Sequence, residues 1–326
     1  MVNKNLLNDI AKEFNLGFVK EITDLEDGLV NNSYKIKTDR GKFVLQCLNS
    51  IFNEKVIEDY EQVQSFLRTN DIFVPVLLKR KNNQSFVLKE NKIWRVFEYI
   101  NNDLSLSKNP SPDEAFEAGQ TLGRFHMITS YLNFKPSFEL KGFHDTKDIL
   151  LKLDTFIKNS QFQFKLNKVN SEINFIRNNI VNFYIDSKLK NIVIHGDPKL
   201  ANFLFKNGKV IALLDLDTMM INNPLIDLGD ALRSWCRVKP ATSIFNKEIF
   251  DKALKGYNTN SLLKISNEVA KKAMSLLTLE LSCRYLNDYF EENYFNFKSE
   301  KYKSRAEQNL TRCKRYLEYF KNFNKE

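Results

Sequence analysis

The segment VIHGDPKLANFLF, residues 193–205, places chemically active side chains between two apolar stretches. His195, Asp197, Lys199 and Asn202 supply an imidazole, a carboxylate, an ammonium group and an amide within eight residues. Burying a carboxylate between apolar segments costs free energy, because its charge loses the solvation of water. Such a residue is therefore expected to be paired with another group or to have a functional role. The residue types are those that accept a proton and bind a charged ligand.

A second acidic cluster follows in IALLDLDT, which contains Asp215 and Asp217 and is separated from the first by a short KNGK turn. A strand–turn–strand hairpin would bring Asp197, Asn202 and Asp215 to one end of two adjacent strands. Mg²⁺ prefers oxygen ligands, keeps some of its waters and relies on substrate phosphates for other ligands. Phosphoryl transfer then needs positioning, charge neutralisation and a base for the acceptor hydroxyl. The two clusters therefore predict a magnesium–nucleotide site.

The spacing supports the same chemistry. In the protein-kinase catalytic loop, H-R-D-L-x-x-x-N, the Asn follows the base Asp by five positions and a metal-binding Asp comes later. Asp197 and Asn202 have that spacing, and LLDLD stands where the kinase D-F-G would be. The ordered set predicts a phosphotransferase centre.

The pattern of the remaining chain predicts an α+β protein. NSYKIKT and GKFVLQCL form a hairpin around DRG, and SFVLKENKIWRVFEYI forms a second hairpin turning at Glu90 and Asn91. EKVIEDYEQVQSFLRTN between them has helical spacing, as does the N-terminal stretch containing Leu6, Leu7 and Ile10. A helix start at Ser-Pro-Asp-Glu, residues 111–114, opens a mostly helical region.

The segments HGDPKLANFLF and LLDLDT resemble the aminoglycoside phosphotransferase and choline kinase superfamily of small-molecule kinases. The resemblance implies a protein-kinase-like bilobal fold, with a nucleotide-binding lobe at residues 1–100 and a helical catalytic and acceptor-binding lobe at 101–326. Further segments, between about residues 28 and 295, resemble the N-acetylhexosamine 1-kinase branch: GLVNNSYKIKTDRGKFVLQCLN, IWRVFEYI, AGQTLGRFH, GFHDT, DLDTMMINNPLIDLGDALR and LTLELSCRYLNDYFEENYF.

The resemblance implies ATP and Mg²⁺ as cofactors and a role for each matching residue. Asp197 would be the catalytic base, His195 would orient the loop and Lys199 would face the transferred phosphate. Asn202 and Asp215 would hold Mg²⁺. The residues expected near the acceptor are His144, Asp145, Asp217, Asp227 and Arg233, and those expected near the nucleotide are Asn31, Asn32, Ser33, Gln46, Glu98, Tyr99 and Ile100.

The nucleotide-binding half departs from the family pattern at two places. No G-x-G-x-x-G is present, and only Gly28 stands in the hairpin that would cover the phosphates. Gln46 occupies the strand position where the superfamily resemblance implies a phosphate-binding Lys. The resemblance to the sugar-kinase branch implies Gln followed by Arg at this place, and here the next residue is Cys47. Nearby cations that would compensate are Lys35, Lys37 and Lys42.

Several of these residues also have structural interpretations. Asp145 or Thr146 would cap a helix, and Asn202 and Asp215 would serve in turns. Asp227 and Asp230 would cap the helix that follows them. Packing roles are expected for His126, Trp94 and Trp235.

Composition narrows the function classes. The net charge of +9 comes from lysines scattered among acids, without the spacing of a nucleic-acid-binding motif. The four cysteines show no CxxC pattern, which favours reduced thiols in the cytoplasm. No apolar run approaches the ~20 residues of a membrane span.

The leading interpretation is therefore a cytoplasmic kinase that phosphorylates a hydroxyl of an amino sugar such as an N-acetylhexosamine. An aminoglycoside or a choline-like amino alcohol is the alternative acceptor. A kinase-like module that binds nucleotide without turnover is the alternative from another class, motivated by Gln46 and the missing glycine motif.

Overall fold

The computed structural model describes residues 4–25, 31–102, 104–105, 109–185, 189–238 and 242–325. The chain divides into two compact units. The first comprises Met1–Ser107, Tyr131–Leu140 and Ala201–Ile221, and the second Lys108–Ser130, Lys141–Leu200 and Asn222–Glu326.

The elements confirm the α+β class expected from sequence. The strands are β1 (Val19–Leu25), β2 (Asn32–Thr38), β3 (Lys42–Cys47), β4 (Phe86–Lys89), β5 (Lys92–Glu98), β6 (Leu104–Ser105), β7 (Ile192–Ile194), β8 (Phe203–Lys206), β9 (Lys209–Leu213) and β10 (Met220–Asn222). The helices are α1 (Lys4–Glu13), α2 (Lys55–Thr69), α3 (Pro112–Thr129), α4 (Thr146–Lys158), α5 (Gln163–Leu166), α6 (Asn170–Ile180), α7 (Pro224–Trp235), α8 (Lys247–Asn260), α9 (Asn267–Glu291) and α10 (Arg305–Lys325).

The first unit contains a five-stranded antiparallel sheet in the order β1-β2-β3-β5-β4. Both predicted hairpins are present. Glu90 and Asn91 between β4 and β5 have φ of 52° and 55°, the left-handed pair that a two-residue hairpin turn requires. The turn chemistry read from the sequence therefore sets the strand register here.

The two faces of this sheet differ because side chains alternate along each strand. One face forms the core with α1. On β3 and β5 the register pairs Gln46 with Arg95 and Val44 with Phe97, and on β2 it pairs Ser33 with Gln46. Paired residues share a face, so Ser33, Gln46 and Arg95 lie together on the opposite side. The core face is lined by Tyr34, Ile36, Leu45, Cys47, Trp94 and Val96, which pack with Leu6, Leu7, Ile10 and Ala11.

A third predicted hairpin of the first unit is formed by β8 and β9. Its turn is Asn207–Gly208, both with positive φ (51° and 72°). At the open end the Leu214 N–H donates to the Asn202 carbonyl at 2.8 Å. The residues just before β8 and just after β9 are therefore held side by side.

The segment Tyr131–Leu140 joins the first unit through a buried carboxylate of α2. Both oxygens of Asp59 accept the Ser137 N–H at 2.9 Å, and one also accepts the Phe138 N–H at 2.9 Å. Charged acceptors make the stronger backbone hydrogen bonds. Asp59 thus fastens a distant loop to its unit.

In the second unit, helices approach each other closely at glycines. A Cβ at Gly119 of α3 would lie 2.1 Å from the Ala253 carbonyl oxygen of α8, and one at Gly256 of α8 would lie 2.0 Å from the Phe116 carbonyl oxygen. The predicted start of α3 is confirmed by a reciprocal capping box between Ser111 and Glu114. Because no Cβ fits at these contacts, the α3–α8 spacing depends on glycine.

The four cysteines are free and buried, as expected from their spacing. Within the described ranges, no helix combines the length and apolar character needed to cross a bilayer.

Replacing Asp59 by Ala is expected to lower the free energy of unfolding by about 1–2 kcal/mol, because two backbone N–H groups lose a charged acceptor. Urea denaturation measures the change. The matched control is Glu58→Ala, an exposed acid of the same helix, which is expected to change stability by less than about 0.5 kcal/mol. Equal losses in the two variants would contradict the fastening role of Asp59.

Candidate active site

The HGD loop, residues 195–197, follows the buried strand β7 and is hydrogen-bonded to a carboxylate of α7. Asp227 accepts the His195 N–H at 2.6 Å and the Gly196 N–H at 2.8 Å. His126 of α3 lies 3.0 Å from the same carboxylate through Nε2. Burial opposes ionisation of Asp227, but the hydrogen bond and charge of His126 lower its pKa below the ordinary value. The carboxylate is therefore kept charged as an acceptor for the loop backbone.

Asp227 does not cap its helix, so that structural interpretation is wrong. The cap of α7 is Asn223, whose side chain accepts the Leu225 N–H at 3.0 Å. Asp227 is fully buried inside the first turn. Its bonds to the loop favour a supporting role over the acceptor contact expected from the family resemblance.

His144 holds the same loop from another side. Its Nε2 lies 2.7 Å from the Gly196 carbonyl oxygen, and its Nδ1 lies 2.9 Å from Oε1 of Glu280 in α9. A carbonyl only accepts, so Nε2 carries a proton. Burial disfavours the imidazolium, but the hydrogen bond and charge of Glu280 raise the His144 pKa overall. Both ring nitrogens are thus used inside the second unit, which favours positioning over acceptor binding.

Asp145, the neighbour of His144, caps α4. Its side chain accepts the Lys147 and Asp148 N–H groups, each at 3.0 Å. Thr146 instead donates its hydroxyl to Glu280 at 2.9 Å. The GFHDT motif therefore builds a helix start and a support for the loop, as the structural interpretation of Asp145 predicted.

Asp197 lies in this supported loop with its side chain about 30% exposed. The Lys199 ammonium is 2.5 Å from Oδ2. Burial raises the Asp197 pKa, but the charge and hydrogen bond of Lys199, together with the charges of His195 and Arg233, lower it below the ordinary value overall. The Asp197 N–H also donates to Nδ1 of His195 at 3.4 Å, which is consistent with the predicted orienting role of His195. The geometry presents an ionised, accessible carboxylate.

Arg233 and Trp235 lie farther along α7, within the second unit. Arg233 donates through Nε and Nη2 to Asp230 at 3.0 and 2.6 Å, and through Nη1 to the Tyr316 hydroxyl at 3.3 Å. Trp235, expected only to pack, also donates Nε1–H to the Pro198 carbonyl at 2.8 Å. Asp230 raises the Arg233 pKa despite burial, so its guanidinium stays charged.

The first unit carries the two predicted metal ligands at the open end of the β8–β9 hairpin. Asn202 precedes β8 and is buried, and Asp215 follows β9 with a φ of +61°. A non-glycine residue in this left-handed region is uncommon and often marks a functional site. The hairpin thus holds Asn202 and Asp215 at one end, whereas the expected placement of Asp197 beside them stays a prediction.

These oxygen donors fit Mg²⁺ by their chemistry. Among the described residues, no group of three or more His, Cys, Asp or Glu has the arrangement of a self-sufficient metal site. Mg²⁺ is commonly held by one or two carboxylates together with waters and phosphates. Asn202 and Asp215 would supply the protein share of such a shell.

Asp217, two residues after Asp215, is the centre of a buried network in the first unit. Its Oδ2 accepts from Asn31 Nδ2 at 2.8 Å and from Arg95 Nη2 at 2.6 Å. Arg95 also donates to Gln46 Oε1 through Nε at 2.8 Å and Nη2 at 2.5 Å. Gln46 in turn donates to the Ser33 hydroxyl at 3.0 Å. Three predicted nucleotide residues and one predicted acceptor residue therefore meet around an arginine.

Arg95 was not singled out from sequence, although a signal was present. It is a charged residue in the otherwise apolar stretch IWRVF, and it is 1% exposed. A charge at such a position requires partners. His126 and Glu280 were likewise missed as supports, because their partners lie 101 and 136 residues away in the chain.

The remaining predicted nucleotide residues lie at strand ends of the five-stranded sheet, at the start of β2 and at and after the end of β5. Asn32 begins β2 opposite Cys47, and Ile100 is half-buried after β5. The Glu98 N–H donates to the Val76 carbonyl at 2.9 Å. The Tyr99 N–H donates to the Lys42 carbonyl at 3.2 Å. Contact of this segment with adenine stays a prediction, and Gly28 falls outside the described residues.

Known proteins share this sequence pattern and fold. Residues 21–251 match the model of the phosphotransferase enzyme family. A homoserine kinase of Polaromonas naphthalenivorans (strain CJ2) is 25% identical over 225 residues, covering 68% of this chain and 67% of that protein.

Two solved structures resemble the chain over nearly its whole length. A microcompartment-associated aminopropanol kinase has a TM-score of 0.70 at 14% identity, covering 99% of this chain and 98% of that one. The amicoumacin kinase hAmiN, in complex with AMP-PNP, Ca²⁺ and Ami, has a TM-score of 0.66 at 18% identity, with 98% and 94% covered. These likenesses show the kinase-like fold. With a family match over more than half of its length, the chain belongs to the phosphotransferase enzyme family and is a small-molecule kinase.

Proposed function

We propose that the protein transfers the γ-phosphoryl group of ATP to a hydroxyl of an amino sugar such as an N-acetylhexosamine. The observation that carries the catalytic part is the Asp197 carboxylate, kept ionised by Lys199 on a loop that Asp227 and His144 hold from two sides. A general base must be deprotonated and fixed in place before it can accept a proton.

In this proposal, Asp197 accepts the proton of the acceptor hydroxyl as that oxygen attacks the γ-phosphorus. The bond from the γ-phosphorus to the bridging oxygen breaks, and ADP leaves. Lys199 keeps the carboxylate ionised and supplies positive charge beside it. Arg233, charged and fixed by Asp230, adds a second cation in the same unit. Mg²⁺, when bound with the nucleotide, neutralises charge on the phosphate oxygens. Asn202 and Asp215 would hold that ion and, through it, orient the nucleotide phosphates.

The acceptor class rests on the resemblance of several segments to N-acetylhexosamine 1-kinases. A second candidate, a small amino alcohol, is favoured by the named substrates of the homoserine kinase and aminopropanol kinase relatives. Both classes offer a hydroxyl near an amino or amido nitrogen. Because GFHDT is used to support the loop, that motif no longer separates the two candidates.

The proposed function is tested by ADP release from MgATP with N-acetylhexosamines, homoserine, aminopropanol and kanamycin-type aminoglycosides as acceptors. We expect turnover with an N-acetylhexosamine, and a loss of at least ~100-fold in kcat for Asp197→Asn, because the variant lacks the general base. Turnover confined to amino alcohols would select the second candidate. Nucleotide binding without turnover on any acceptor would contradict the kinase proposal.

Asp215→Ala is expected to weaken MgATP binding by at least about tenfold, because a charged ligand of the phosphate-bridging ion is removed. Calorimetry with MgATP, and with ATP in EDTA, separates the metal-dependent part of the affinity. The exposed acid Asp251 provides the control variant, Asp251→Ala. If both variants bind MgATP with the affinity of the unmodified protein, Asp215 is not a metal ligand.

Lys199→Met is expected to move the acidic limb of the kcat/KM–pH profile to higher pH. Lys199 lowers the Asp197 pKa, whereas burial raises it, so removal of the ammonium leaves burial dominant and the base is protonated at higher pH. The position of the limb is compared, since the rate itself also falls. Lys190→Met, an exposed lysine of the same unit, is the control. An unshifted limb in Lys199→Met would exclude this coupling.

A further inference from the structure

The first unit lacks a lysine at position 46, where the family resemblance expects one to meet the nucleotide phosphates. The three lysines on the same sheet face have other neighbours. Lys37 pairs with the exposed Glu21 at 2.9 Å. Lys35 and Lys42 lie over the Tyr99 ring, at 4.3 and 6.0 Å from its centroid. The position beside Gln46 is filled by a different cation.

That cation is Arg95. The antiparallel register of β3 and β5 pairs it directly with Gln46, so both side chains lie on the face opposite the α1 core. Its guanidinium is anchored to Gln46 Oε1 by Nε and Nη2, and to Asp217 by Nη2. A positive charge therefore stands next to the side chain that replaces the expected lysine.

In the buried ion pair of Arg95 and Asp217, each side chain has one polar atom without a hydrogen-bond partner in the part of the chain that the structure describes. Among the described residues, Arg95 Nη1 and Asp217 Oδ1 are buried without a hydrogen-bond partner. The two side chains are 2% and 1% exposed. A buried ion pair is favourable only when its remaining donors and acceptors are also satisfied, and a buried polar atom left unpaired costs about 1–3 kcal/mol. Such atoms in a folded protein call for a ligand, ion or water.

We propose that Arg95 replaces the missing lysine and donates its Nη1–H to the phosphate oxygens of the bound nucleotide. This inference rests on the proposed function. A guanidinium suits the role because its planar fork donates in several directions at once. Nε and Nη2 hold the guanidinium against Gln46 and Asp217. Nη1, which has no partner among the described residues, is the nitrogen that would donate to an anion. The network also links Arg95 to Asn31, which directly follows the segment expected to cover the phosphates.

The competing role for Arg95 is an ion pair that only stabilises the first unit. Ligands that differ only in phosphates distinguish the two roles without turnover. ADP and adenosine share the base and ribose, so the ratio of their affinities isolates the phosphate contribution. A phosphate-binding Arg95 affects this ratio, whereas a structural Arg95 affects both ligands alike.

The first variant removes both charges of the pair, Arg95→Gln with Asp217→Asn, so that neither is left buried alone. Calorimetry is expected to show ADP affinity reduced by about tenfold or more, the usual worth of a charge-assisted hydrogen bond. Adenosine affinity is expected to stay within about twofold. Arg95→Lys, which keeps the charge but loses the fork, is expected to give a smaller reduction. Lys37→Gln, an exposed cation of the same face, is the matched control.

Adding Gln46→Lys to the double variant places a lysine at the position that the family resemblance expects. This triple variant is expected to recover most of the lost preference for ADP over adenosine. A wild-type ratio in Arg95→Lys, or in the double variant once circular dichroism shows that it is folded, would overturn the proposal. Equal weakening of ADP and adenosine would do the same. Failure of the unmodified protein to bind MgATP or ADP would instead contradict the proposed function.

Discussion

The hydrogen bonds accepted by the buried carboxylate of Asp227 are the interactions on which the loop of residues 195–197 in the second unit depends. This carboxylate accepts two successive backbone N–H groups of the HGD loop and a third bond from His126. A charged carboxylate makes the stronger hydrogen bonds to these N–H groups, whereas burial raises the pKa of Asp227 and so opposes its charge. His126 offsets that tendency, and the Tyr257 hydroxyl lies 2.9 Å from the other ring nitrogen of His126. The chain of bonds therefore runs from α8 through α3 and α7 to the loop.

In the first unit, the predicted metal ligands are positioned in a different way. Here the pairing of β8 with β9 across the Asn207–Gly208 turn, with one register shift between Leu204 and Phe205, brings Asn202 and Asp215 to one hairpin end. Asp217 then connects this end to β5 through Arg95. Backbone register thus positions the predicted metal ligands, whereas a buried salt bridge ties them to the sheet that carries the predicted nucleotide residues.

Local features were predictable from the sequence because their causes are local. The turn residues predicted the hairpins, and the capping box predicted the start of α3, because each of these signals acts within a few residues. Long-range partners were not predictable: nothing near His144 indicates Glu280, and nothing near Arg95 indicates Asp217. The same holds for the return of residues 131–140 and 201–221 to the first unit. The kinase motif spacing predicted the function more specifically than the hydrophobic pattern did. The spacing relates several residues that are expected to act in one reaction, although they are separated in the chain.

The glycine contacts between α3 and α8 place a limit on how this sequence can diverge. A Cβ at Gly119, Gly123 or Gly256 would lie 2.0 to 2.3 Å from a backbone carbonyl oxygen, and neither helix can yield there without moving as a whole. Such a movement would separate His126 from Tyr257, since these residues sit on the two helices concerned. Random mutagenesis should therefore recover these glycines as loss-of-function positions, although none belongs to a motif that carries the chemistry.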